Sequence, residues 1–88
     1  MLEYHAAYYP IEDGWYLAKV LDFPGVISQG KTLNSARRML RDALREVANW
    51  RIERGESLPK PKRKVSDRKA VFSEVVQISF QVRRAVPA

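Results

Sequence analysis

Between Leu33 and Ala48 the apolar residues fall at Leu33, Ala36, Leu40, Ala43, Leu44, Val47 and Ala48, the three- and four-residue spacing of one helix face. Thr32 supplies an N-cap and Gly55 a C-terminal stop, so the spacing predicts one helix of about 22 residues, roughly 33 Å long. On the same spacing Trp50 is expected to extend the buried stripe or to anchor a subunit contact. A single amphipathic helix cannot bury its own stripe, so the rest of the chain must supply the opposing layer. With 88 residues in all, the chain buries only about 60% of its unfolded surface, enough for one sheet-plus-helix core. The absence of cysteine excludes a disulfide framework and a thiolate metal cage, and makes the cytoplasm the expected compartment. MLEYHAAYYP lacks a basic start followed by an apolar run, and no apolar stretch is long enough to cross a bilayer, so neither secretion nor membrane spanning is expected.

The opposing layer reads as strands. Residues 3 to 9, EYHAAYY, alternate Tyr4, Ala6 and Tyr8 with His5, Ala7 and Tyr9. Pro10 and Glu12-Asp13-Gly14 predict a reversal, and Trp15 to Val20 a second strand. Asp22-Phe23-Pro24-Gly25 places Pro and Gly at the two central positions of a type II turn, before a short third strand from Val26 to Gln29. After the helix, Val71 to Val82 alternates Val76, Ile78, Phe80 and Val82 with Val75, Gln77, Ser79 and Gln81, a strand that rejoins the sheet. The expected class is α+β: β-β-β-α-β, an antiparallel sheet with one long helix packed on it. A single domain over 1–88 is expected, with a core at 1–59, a connector at 60–69 and the last strand at 70–84.

Lys and Arg outnumber Asp and Glu by 16 to 10, which points toward nucleic acid. The excess is local. KPKRKVSDRK at 60–69 carries Lys60, Lys62, Arg63, Lys64, Arg68 and Lys69 against Asp67 alone, leaving the remainder near neutral. Like charges and prolines keep such a connector extended and non-helical.

Gly14-Trp15-Tyr16-Leu17-Ala18-Lys19-Val20, then Asp22-Phe23-Pro24-Gly25, then Ser28-Gln29-Gly30 with Thr32 and Ala36, then Gly55-Glu56-Ser57-Leu58-Pro59 resembles the HicB-like antitoxin family. The likeness covers about two thirds of the chain, and an ordered string of motifs is more specific than any one of them. It implies a partial ribonuclease-H-like fold and a non-enzymatic protein that binds and neutralises a small messenger-RNA-cleaving toxin of HicA type by occlusion. Many relatives continue into a C-terminal DNA-binding module; with about six residues after Val82, a stand-alone domain is expected here.

The candidate partner-binding residues are Asp22, Phe23, Pro24 and Gly25, whose turn either presents Phe23 or tucks it into the core. Ser28 and Gly30 either offer donors or end a strand, and Arg37, Arg41 and Arg45 recur every fourth residue along one helix side beside Arg38. That side could take an acidic patch or RNA, or be solvated with Asp42 and Glu46 offsetting it. The alternative function is a small basic RNA- or DNA-binding module using Lys60, Lys62, Arg63 and Lys64, with weak nonspecific affinity. A third is a divalent-metal nuclease, for which Glu12, Asp13, Asp22, Asp42 and Glu46 are scattered. His5, the lone histidine, has no nucleophile or second base beside it in sequence and reads as a strand residue. No catalytic residue, cofactor or metal is expected. An open sheet edge and a last strand apolar on both faces predict a homodimer or a dimer of dimers.

Overall fold

The alternation of the first strand decides which of its side chains meet the helix. In the computed structural model, which describes residues 2–79, β1 (Leu2–Pro10) buries Tyr4, Ala6 and Tyr8 toward the helix and turns His5, Ala7 and Tyr9 to the other face. β2 (Tyr16–Val20), β3 (Ile27–Gly30), α1 (Leu33–Glu53) and β4 (Phe72–Ile78) follow, giving the expected β-β-β-α-β order. The sheet order is β3-β2-β1-β4 with every pair antiparallel, so β3 and β4 are its edges. Where the alternation predicted a last strand to Val82, the described part runs from Phe72 to Ile78 in register with β1 from Tyr8 to Leu2, and residues 80–82 lie outside the described residues.

Each reversal follows its residues. Asp13 at φ +59 and Gly14 at φ +78 turn the chain between β1 and β2, closed by the Ile11 N–H donating to Trp15 O at 2.9 Å. In the next turn Val26 N–H donates to Phe23 O at 3.3 Å with Gly25 at φ +87, the left-handed position that a type II turn requires.

Thr32 Oγ1 accepts from Ser35 N–H at 3.0 Å and opens α1. Gly55 at φ +74 closes it: its N–H donates to Ile52 O and Glu56 N–H to Arg51 O, the paired bonds of a Schellman motif. Ala36, Leu40, Leu44 and Ala48 are buried against Tyr4, Tyr8, Ala18, Val20, Phe23 and Val26. Trp50 does not extend this stripe; it is 53% exposed. At about 100° per residue it stands about 200° around the helix from Ala48, and instead the Arg54 guanidinium lies 4.5 Å from its ring centroid.

Between helix and last strand, residues 57–70 form neither helix nor strand, as the charge run predicted. They are nonetheless held. Tyr4 Oη donates to Pro59 O at 2.7 Å, Lys62 N–H to Asp22 Oδ2 at 3.1 Å, Tyr9 Oη to Asp67 Oδ2 at 2.7 Å, and Val71 N–H to Tyr8 O at 2.9 Å. The segment is a strap running from the helix end past the β2–β3 turn to the outer end of β1. Ala7, on the sheet face away from the helix, is fully buried.

Candidate functional site

Two carboxylates organise the sites that the sequence singled out. Asp22, at the β2–β3 turn, has a side chain with no exposure. Its Oδ1 accepts from the His5 backbone N–H at 2.8 Å; its Oδ2 lies 2.8 Å from His5 Nδ1 and accepts from Lys62 N–H. A carboxylate only accepts, so Nδ1 carries the proton of that bond. His5 is thus a strand histidine that ties β1 to the turn, and the turn in turn holds the strap. Burial alone would raise the Asp22 carboxyl, but the bonds from His5 and Lys62 outweigh it and hold the group below its ordinary 3.8.

Glu74 lies on β4 in the phase that faces the helix, opposite Ala6. Arg37 clamps it with two of its nitrogens, Nε to Oε2 at 3.0 Å and Nη2 to Oε1 at 2.9 Å, while Tyr8 Oη donates to Oε2 at 2.6 Å. Arg41 Nη2 stands 3.9 Å away, and the Arg37 guanidinium covers the Phe72 ring. Burial would raise the Glu74 carboxyl; Arg37 and Tyr8 override it and keep it below 4.5. The Tyr8 phenol, desolvated and bonded to that carboxylate, is pushed well above its ordinary range. Both carboxyl groups are depressed in the folded chain, so their stabilisation is fully present above about pH 5 and is lost as the pH falls below the unfolded values of 4.5 and 3.8 and on through the lower folded ones. Urea midpoints are therefore expected to be flat from neutrality to about pH 5 and to fall steeply below about pH 4, and Glu74→Gln is expected to flatten part of that fall.

The structure separates the residues proposed for partner binding. Phe23 is fully buried, its ring 5.1 Å from that of Tyr4 and under the Arg51 guanidinium, so Pro24 and Gly25 make the outer surface of that turn. Gly30 is buried beneath the first turn of α1, and Ser28 is half-buried on β3. Arg37 and Arg41 converge on Glu74, whereas Arg45 reaches Asp42 at 3.9 Å on the exposed side. Lys60, Lys62, Arg63 and Lys64 all lie exposed on the strap, and Lys62 sits against the Asp22 turn. Asp22 as the strap's anchor and Glu74 as the arginines' partner were not expected from sequence. Among the described residues no three His, Asp or Glu side chains come together as a metal-holding group, and no helix is long and apolar enough to cross a membrane.

Residues 4–59 match the family described as UPF0150-like. The N-terminal domain of the Burkholderia pseudomallei antitoxin HicB is similar in structure, with a TM-score of 0.73 and 25% identity over 90% of this chain and 100% of that one. The structure of the Burkholderia pseudomallei antitoxin HicB superposes with a TM-score of 0.73 at 22% identity, covering 99% of this chain and 76% of that one, a likeness of fold. No curated protein matches the chain.

Proposed function

We propose that this chain, which belongs to the UPF0150-like family, is an antitoxin-like protein that binds a small messenger-RNA-cleaving toxin of HicA type in the cytoplasm and neutralises it by covering its active surface. The observation that carries this reading is the likeness to the N-terminal domain of a HicB antitoxin over that domain's whole length. The partial ribonuclease-H-like description of the fold belongs to the same reading. Occlusion needs no chemistry, and the strongest side-chain groupings here are structural: Asp22 holds the strap and Glu74 locks α1 to β4.

A stable complex of this kind buries about 1,600 Å² in total. The surfaces available for it are the Pro24-Gly25 tip, the β3 edge, and the helix side bearing Arg41 and Arg45. Val71, 61% exposed beside the start of β4, and Val75 leave apolar surface at the β4 edge, which we assign to pairing between copies in a homodimer or dimer of dimers. Isothermal titration of the purified protein with the HicA-type toxin encoded beside it tests the reading. Saturable binding in the nanomolar range is expected; absence of heat and of a co-eluting complex contradicts the reading for that pair.

A further inference from the structure

The basic side chains divide into two groups. Outside the strap, those among the described residues are engaged within the chain, Arg38 excepted. Arg37 and Arg41 meet Glu74, Arg45 meets Asp42, and Arg54 meets Glu56. Arg51 covers Phe23, while Lys19 and Lys31 cover Tyr9 and Trp15. On the strap none of Lys60, Lys62, Arg63, Lys64, Arg68 and Lys69 has an ion-pair partner among the described residues. The one acid there, Asp67, is spent on the Tyr9 hydroxyl and the Lys69 N–H.

We propose that residues 60–69 form a sequence-independent binding strip for the phosphate backbone of a nucleic-acid strand. The anchors of the strap use main-chain groups and Asp67, so Lys62 is fixed through its N–H while its ammonium stays free. A loose tail would lose this freedom only on binding; the strap has already lost most of it on folding. Ten residues span at most about 36 Å and carry six basic side chains against Asp67, which suits a polymer carrying a charge at every unit better than a single acidic side chain. Lys19 lies near Asp67 and adds to the same field. An open groove of about 580 Å³ runs beside the strap, lined by Leu21, Val65, Ser66, Asp67, Arg68 and Lys69, and gives the strand a bed. No large apolar side chain of the strap is exposed, so it lacks the inserting residues of a membrane-surface binder.

The test is fluorescence anisotropy with the full chain and labelled single-stranded RNA of about 20 nucleotides, repeated with DNA of the same sequence, from about 50 to 300 mM KCl. Micromolar binding is expected at the lowest salt, similar for both strands and indifferent to sequence, with log K falling against log salt at a slope of about −3 to −4. Changing Lys62→Gln, Arg63→Gln and Lys64→Gln together keeps the anchoring N–H of Lys62; it is expected to weaken binding at least about tenfold and flatten the slope by about 2. Arg38→Gln, on the helix, is expected to change affinity less than about twofold. No binding at low salt, an unchanged slope in the triple variant with native circular dichroism, a strong preference for one sequence, or capture by anionic vesicles without capture of RNA would each overturn the proposal. Because the readout uses the isolated protein, its failure leaves the toxin reading standing, and the reverse also holds.

Discussion

Replacing Asp22 with Ala is expected to lower the unfolding free energy by about 3 kcal/mol, measured as a drop in urea midpoint at unchanged slope. The carboxylate is fully enclosed and accepts from the His5 N–H, the His5 imidazole and the Lys62 N–H. Removing it leaves these donors facing apolar surroundings, and an unmet buried donor costs about 1–3 kcal/mol. The loss has a location as well as a size. Lys62 N–H exchange should speed up along with that of its strap neighbours, while the amides of the helix interior keep their protection relative to the new global stability. A midpoint within error of the parent, or uniform exchange across the chain, contradicts the role of Asp22 as the strap's anchor.

The second large effect is steric. A Cβ on Gly30 would stand 2.4 Å from Ala36 N, 2.8 Å from Ala36 Cα and 2.8 Å from the Ser35 carbonyl carbon. All three are backbone atoms of the first turns of α1, so no side chain can rotate aside, and the helix must lift from β3. Gly30→Ala is expected to cost about 3 kcal/mol, with a melting temperature lower by about 15 °C in a domain of this size. Gly14→Ala makes a useful control because nothing lies within 4 Å of a Cβ there; only its left-handed φ of +78 is strained. A Gly30→Ala variant that melts with the parent would mean that α1 and β3 are farther apart in solution.

Much of this architecture was legible in periodicity. The two faces of β1, the type II turn at Pro24-Gly25, the Thr32 cap and the Gly55 stop follow from local backbone preferences, which the residues carry themselves. What was missed depends on partners distant in sequence. Phe72, Glu74, Val76 and Ile78 share one phase of β4, so the sequence did contain a carboxylate on an otherwise apolar face; that signal points to a buried cation partner. Asp22 stands between Leu21 and Phe23 and likewise invited a buried reading, but its donors come 17 residues before it and 40 after it. Of the two readings of Trp50, the buried one fails because a three-residue step from half-buried Val47 carries it past the margin of the stripe. The strap shows the limit most clearly: composition revealed a segment without helix, while its anchoring rests on Tyr4, Tyr9 and Asp22, none of them nearby in sequence. Phe23 was open to two readings, and burial against Tyr4 places it in the core.

The central claim is neutralisation by occlusion, and its most direct test is cleavage itself. A purified HicA-type toxin, cutting a reporter RNA at constant concentration, is titrated with the purified protein. The account predicts that cleavage falls in proportion to added protein and is abolished at a fixed stoichiometric ratio, with no cleavage by this protein alone in magnesium or manganese. Toxin activity that persists undiminished at large excess would contradict it, as would RNA cleavage by the isolated chain that is lost in Asp42→Asn, a substitution on the exposed helix surface.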